Sequence, residues 1–448
     1  MIKNFKNKLA KDKHFSELLK GSSVAFILRI LGMILGYIFA LMLAHQYGAK
    51  GVGIFSLVTT YIAIALIFAK AGLDISSMKY ISRFYVANDT SSVKGLYLKS
   101  LRLILFSSIF TTILFWYFSG ISAIYIFKKD YLSDIFSFAT VMIVPMALLQ
   151  FHAEIIRGYK KIIHYFLVNS ISVSLIGIIL LSLNLKSIFS DYVYIDIYII
   201  AQFITLLLAM VIWLYDSKII HQKVKNTITT KKLLKSSFPV MITGSIALVM
   251  GWMDIIMLSM YGTAADVGIY SMALKLATII SIALSAINSI LAPKISHLYS
   301  ISDFKNLEKI IHQATKMIFL IAFPILVICI IIPSYIMGMF GEDFKVGAVA
   351  LIILSLGQFV NAISGSVGYI LNMTDKENAL RNITLVTAFL NIILNYIMIP
   401  KYGMNGAAIA TAISIAFWNL YCAVYIYKKM NIITIYIPYL KKFINHEK

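Results

Sequence analysis

Tyr47-Gly48-Ala49, followed shortly by Val52-Gly53-Ile54-Phe55-Ser56, returns later as Tyr261-Gly262-Thr263 and then Val267-Gly268-Ile269-Tyr270-Ser271. Gly53 and Gly268 are 215 positions apart. A second echo, Ile124-Tyr125-Ile126-Phe127 against Met337-Gly338-Met339-Phe340, has an offset of 213. Two separated matches at nearly one offset imply an internal duplication of about 210 residues. In both copies the first motif follows a long apolar run and precedes another, which makes it the short turn of a hydrophobic hairpin.

The apolar runs can be counted outward from there. The chain has 448 residues, 60% hydrophobic and 13% charged, with a mean hydropathy of +0.86. A soluble protein carries about 25% charge, because its surface faces water; this surface faces lipid. Twelve runs of at least 18 residues lack Asp, Glu, Lys and Arg: 30–49, 51–69, 103–127, 135–153, 162–185, 197–215, 236–253, 276–293, 317–341, 346–374, 382–400 and 402–427. Each is long enough for a helix to cross a hydrocarbon core of roughly 30 Å. Barrel strands would be near 10 residues with alternating polarity, which these runs are not.

Alternating twelve spans across a bilayer sorts the charges. Thirty of the 40 basic residues fall on the two ends and the connections of one side, and six (Lys50, Lys128, Lys129, Lys186, Lys345 and Lys401) on the other. By the positive-inside rule the thirty, and both termini with them, are cytoplasmic. The net charge of +21 therefore reads as topology and attraction to anionic lipid headgroups, not as a nucleic-acid footprint. A six-span shift preserves orientation, so the halves are parallel repeats. The expected fold is an all-α membrane protein of about twelve transmembrane helices in two six-helix lobes. Residues 1–20 form a cytoplasmic interfacial segment with Ile2, Phe5 and Leu9 on one face among lysines, 21–215 the first lobe, 216–235 a cytoplasmic linker, 236–427 the second lobe and 428–448 a cytoplasmic tail. Nothing in the first 20 residues suggests cleavage.

Six charged residues lie within or at the edge of the spans: Arg29, Lys70, Asp74, Arg102, Asp254 and Lys275. A charge at mid-membrane costs about 2.5–3.5 kcal/mol on insertion scales and usually faces a cavity or a partner, so these six are the candidate substrate-binding and translocation residues. Lys70 and Arg102 are close enough to the cytoplasmic ends to snorkel. Arg29 has the shorter reach to water. Asp254 and Lys275 stand at similar depth on consecutive antiparallel spans, so an ion pair is expected there. Neither Arg29 nor Lys275 is echoed in the other half, which favours handling of a substrate over scaffolding. His152, His164, His221, His297 and His312 fall near cytoplasmic span ends or in loops and read as interfacial. No catalytic constellation, metal site or cofactor motif is visible. Cys329 and Cys422 sit in apolar stretches, so no disulfide framework is expected. Trp116, Tyr117, Trp252 and Tyr261 read as an aromatic belt.

Several stretches, in order, resemble the polysaccharide-transporter branch of the MOP exporter superfamily, the Wzx-type oligosaccharide flippases. They are Gly21-Ser22 with Arg29, Gly32 and Gly36; Gly72-Leu73-Asp74 followed by Lys79; Met253-Asp254; Val267-Gly268-Ile269-Tyr270-Ser271 with Ala273 and Lys275; Asn372-Met373-Thr374 with Arg381-Asn382; and Ile399-Pro400-Lys401-Tyr402-Gly403-Met404-Asn405-Gly406-Ala407-Ala408. The resemblance implies a V-shaped pair of lobes around a cavity open to one side at a time. It implies as cargo an undecaprenyl-diphosphate-linked oligosaccharide, flipped across the bacterial cytoplasmic membrane for O-antigen, capsule or a related surface polymer, with no enzymatic step. Membrane lipids, and the polymerase and glycosyltransferases of the same pathway, are the implied partners. Two other classes share some of these features. A MATE-type drug or cation antiporter calls for acidic residues in excess within the cavity, whereas here four basic residues face two acidic ones. A membrane-embedded enzyme of glycan assembly calls for an acidic or His cluster at one membrane face, which the sequence lacks.

Overall fold

The computed structural model describes residues 13–183, 192–225 and 227–436. The interfacial helix expected at the start lies outside the described residues as far as position 12. From Lys13 the chain is already helical and runs on into the first span. The last part of the expected tail, from 437, is likewise outside them.

Among the described residues the secondary structure is helical, and nine helices are long and apolar enough to cross a membrane. The chain divides into two compact units. The first holds the residues up to Tyr47 and Ile54–Val249. Its helices are α1 (Lys13–Lys70), α2 (Leu73–Val86), α3 (Thr90–Tyr117), α4 (Leu132–Gly158), α5 (Ile162–Ser182), α6 (Val193–Ser217) and the first part of α7 (Thr230–Tyr261). α1 is two spans, broken at Gly48 (φ 64°, ψ −172°). A positive φ of this kind costs glycine nothing and other residues about 1 kcal/mol or more, so the hairpin turn read from the repeat motif is placed by that glycine. After Lys70, Ala71 and Gly72 turn the chain with positive φ, and α2 departs from the span. Asp74 accordingly lies in the first turn of a separate helix, not at the end of span two as its position in the sequence suggested.

The stretch expected as the linker, 216–235, is fastened to the start of α3. Lys94 Nζ donates to the carbonyls of Ile220 (2.9 Å) and Gln222 (2.7 Å), Lys225 N–H to Ser91 O (3.1 Å), and Thr90 Oγ1 to Gln222 Oε1 (2.9 Å). Lys99 reaches Ile228 O, and Ser92 meets Thr227. Asp89 caps α3, its carboxylate accepting from the backbone N–H (3.0 Å) and hydroxyl (2.6 Å) of Ser92. Those two donors hold its carboxyl below the usual aspartate range. The boundary between the units therefore falls inside α7, after Val249.

The second unit comprises Gly48–Gly53 and the chain from Met250. It contains the rest of α7, then α8 (Ala264–Ala277), α9 (Ile282–Ser300), α10 (Phe304–Ile331), α11 (Ala348–Ser364), α12 (Val367–Met373) and α13 (Glu377–Met430). α13 is again two spans, broken at Gly403 (φ 55°, ψ −132°). The run expected over 346–374 is interrupted at Gly365 (φ 75°), which separates α11 from α12. The carbonyl of Ile363, left over at that break, accepts from the backbone N–H of Tyr436 (3.1 Å).

Within this unit the repeat motif meets itself. A Cβ on Gly53 would fall 1.6 Å from the carbonyl oxygen of Ala264, and one on Gly268 2.1 Å from that of Ala49. Only glycine permits two backbones to approach so closely. Small residues serve the same end elsewhere, as at Gly32 against Ser170 and Gly357 against Ala412. That is the expected packing device where lipid removes the hydrophobic gain from helix association. Large apolar side chains such as Phe106, Phe110, Val211, Ile331 and Phe389 stay on the outside, as a lipid-facing surface requires.

Candidate functional site

In the first unit the turn at Ala71-Gly72 brings Asp74 back to Lys70, with Nζ 2.8 Å from Oδ2. The C-terminal end of α4 packs against α2: a Cβ on Gly158 would stand 2.9 Å from the carbonyl of Met78. That contact brings Glu154 and Arg157, one turn apart on α4, to the Lys70–Asp74 pair, and Glu154 feels both of those charges. Arg157 Nη2 lies 2.6 Å from Glu154 Oε2. The approach is an ion pair without hydrogen-bond alignment, and Oε2 is buried with no hydrogen-bond donor. The guanidinium also lies over the Tyr165 ring, 5.4 Å from its centre, a cation–π contact. Tyr165 in turn feels the charge of Arg29. Arg29 is exposed on α1 and makes no hydrogen bond or ion pair with the described residues.

Of the six residues singled out from the sequence, Arg29, Lys70 and Asp74 thus belong to one neighbourhood. Arg102 is exposed on α3 and makes no polar contact with the described residues. Glu154 and Arg157 were missed because both lie beyond the charge-free run 135–153. α4 continues as helix to Gly158, and their spacing of three residues, one helical turn, was the available signal.

In the second unit Asp254 is buried, with 3% of its surface exposed. Its Oδ2 accepts from the hydroxyl of Tyr270 (2.8 Å) and from Thr411. Its Oδ1 accepts from the amides of Asn395 (2.6 Å) and Asn391 (3.4 Å). These four neutral donors surround the carboxylate, and the ion pair expected with Lys275 is not among its contacts. Helix geometry explains the difference. Tyr270 points at Asp254, and five residues further along α8 the side chain of Lys275 is turned by about 140°. Lys275 itself is half-buried. The carboxylate, amide and hydroxyl oxygens are hard donors of the kind that hold a proton or an alkali cation, and a single carboxylate is too little charge for a dedicated divalent site. Asn395 Oδ1 is buried without a hydrogen-bond donor. The legible signal here was a pair of asparagines four apart in an apolar span, on one helix face by spacing. No group of three or more His, Cys, Asp or Glu suited to a metal ion occurs among the described residues.

One further expectation changes. His152 is not interfacial: it is fully buried, with Nδ1 2.7 Å from Leu148 O and Nε2 3.2 Å from the hydroxyl of Tyr97. His164 pairs through Nδ1 with Asp216 (2.6 Å). Trp116 is exposed at the end of α3, on the rim of a groove of about 460 Å³ shared with Asp134 and Ser137.

The chain is similar to known proteins in three ways. The model of a family described as polysaccharide biosynthesis protein matches residues 18–299, and the MatE model matches 239–397. Among curated proteins, an uncharacterized membrane protein of Methanocaldococcus jannaschii is 24% identical over 414 residues, 88% of this chain and 80% of that one. A probable low-salt glycan biosynthesis flippase of Haloferax volcanii is 28% identical over 166 residues (37% and 35%), and a putative O-antigen transporter of Shigella flexneri 25% identical over 176 residues (39% and 41%). The match to each of those two spans well under half of either chain. Among solved structures, an inward-facing MATE family transporter of the MOP superfamily superposes with TM-score 0.73 at 14% identity, covering 91% of this chain and 98% of that one. The inward closed form of the lipid II flippase MurJ gives 0.72 at 17%, covering 90% and 87%. Those two likenesses establish the fold, a MOP-type all-α membrane architecture. With the family model matching well over half of its length, this chain belongs to the polysaccharide biosynthesis protein family.

Proposed function

We propose that the protein is a flippase, not an enzyme, that carries polyprenyl-diphosphate-linked oligosaccharide units across the membrane by alternating access, with undecaprenyl diphosphate as the carrier. The observation that carries this reading is Arg29: a guanidinium exposed on a membrane-spanning helix, without hydrogen bond or ion pair to the described residues. Such a group is costly in hydrocarbon and usually faces a cavity or a partner, and an anionic ligand is a partner that suits it. Its planar fork suits phosphate oxygens. Lys70 in the same unit supplies further positive charge. The family match and the glycan-flippase names of the curated relatives support a glycan cargo. A polar glycan and a diphosphate cannot cross hydrocarbon, while the polyprenyl tail prefers it; a cationic site within a membrane protein meets both demands. Two lobe arrangements with different affinity for the cargo then suffice for transport.

The test is surface-glycan display in a deletion strain, with membrane protein quantified alongside. Arg29→Ala is expected to abolish display at undiminished protein level, and Arg29→Lys to restore part of it. Full display from Arg29→Ala overturns this assignment.

A further inference from the structure

We infer that Lys70 and Arg157 form an anion site whose strength is set by its own carboxylates, Asp74 and Glu154, which compete with the cargo's diphosphate for the two cations. The inference rests on the flippase reading above and deepens it, adding two residues and a mode of release.

Four observations carry it. Each cation is paired to a carboxylate on its own stretch of chain: Lys70 to Asp74 at 2.8 Å and Arg157 to Glu154 at 2.6 Å. The two pairs are brought together by the close approach of Gly158 to Met78. They are unevenly satisfied: Asp74 accepts a hydrogen bond from Lys70, whereas Glu154 Oε2 is buried, faces Arg157 without hydrogen-bond alignment and has no donor. Arg157 keeps 40% of its side chain exposed and Lys70 21%, against 15% for Glu154 and 5% for Asp74. The cations are thus the accessible members of both pairs, and the acids lie behind them.

The charges decide the consequence. With Arg29, the neighbourhood has three positive and two negative groups, a balance of one positive charge. A diphosphate joined to a lipid at one end and a glycan at the other has two negative charges, so its arrival leaves one negative charge in excess. The carboxylates therefore weaken binding. Without them the cations would hold a dianion tightly, and a carrier must bind its cargo firmly enough to load it and loosely enough to let it go. Asp74 and Glu154 keep the site releasable by reclaiming their partners when the diphosphate departs.

The prediction has an unusual sign: removing one of the acids by Glu154→Gln or Asp74→Asn tightens binding and slows transport. The probe is inorganic pyrophosphate, titrated calorimetrically into the full-length protein in nanodiscs of neutral lipid. Glu154→Gln and Asp74→Asn should each lower Kd by about five- to tenfold, as loss of a like charge at this range implies. Arg157→Gln and Lys70→Gln should raise it by a similar factor. Surface-glycan display should fall in all four variants, since the first two release too slowly and the others load poorly. Thermal melting of each variant identifies any that is unfolded, and the second acid variant then serves in place of the first. If the wild type binds pyrophosphate and the acid variants bind it equally or more weakly, the competition does not exist and the inference falls while the flippase reading stands. If the wild type binds no pyrophosphate, both fall.

Discussion

At the scale of single residues, Asp254 is the most constrained charge in the molecule. A buried carboxylate must have its lone pairs satisfied, and this one takes donors from α8 and from both spans of α13. Hydrogen bonds to a charged group contribute about 1.5–3 kcal/mol. Tyr270→Phe removes one donor while keeping the ring, so it should lower stability by about 1–2 kcal/mol, read as a fall in melting temperature of the purified protein. Asp254→Asn replaces one acceptor oxygen with an amide donor facing donors and removes the negative charge. It should reduce surface-glycan display at least tenfold without lowering the amount of protein in the membrane; normal display from that variant makes the cage structural only. The sequence told that Asp254 was costly but not who its partners are. Asn391, Asn395 and Thr411 lie more than 130 positions away, and nothing local in the chain ties them to one carboxylate. Arg29, Lys70 and Asp74 were legible because a charge in an apolar run is visible by itself. Glu154 and Arg157 were not, because they look like loop charges until α4 is seen to extend past them.

At the scale of elements, glycine and caps do most of the placing. Gly48 and Gly403 each break the helix with a positive φ, ending one span and starting the next, and the first of these breaks makes the repeat motif legible as a turn in the sequence. The break at Gly365 and the departure of α2 after Gly72 were not legible, since a lone glycine in an apolar run is compatible with an unbroken helix. Gly53 and Gly268 pose a sharper demand. Gly53→Ala or Gly268→Ala forces the facing carbonyl away and should each cost about 3 kcal/mol, as overpacking of a tight contact does. The double variant should cost less than the sum of the two, because both report on one contact; strict additivity in chemical or thermal denaturation argues against the shared packing. The cap at Asp89 predicts a pH dependence. Its carboxyl is held below the usual range in the folded protein. The stability it contributes is therefore present above the ordinary aspartate pKa and is lost as pH falls through the lower folded value. Asp303, capping α10 through Asn306, acts in the same sense. Melting temperatures should decline below about pH 4, and Asp89→Asn should flatten part of that slope.

At the scale of the whole molecule, the alternation of charge makes a topological statement that a fusion can test. A phosphatase active only outside the cytoplasm, fused after position 448, is expected to be silent, and one inserted at Lys128 or Lys345 to be active; the reverse pattern contradicts the assigned orientation. The 215-residue repeat predicts two lobes joined at 216–235, while the compact units of the structure divide after Val249. Linker residues look like a free tether in sequence, yet lysines 94 and 99 tie them to α3, and the division lies further on, within α7. The membership of Gly48–Gly53 in the second unit has a further consequence. During synthesis these six residues emerge about two hundred residues ahead of the segment they pack against, so the tip of the first hairpin waits without its partner until α8 has been made. A gene cut at the linker would give a second fragment lacking six residues of its own body and a first fragment carrying them with nothing to rest on. Co-expressing two such fragments should therefore give less folded protein than the uncut chain.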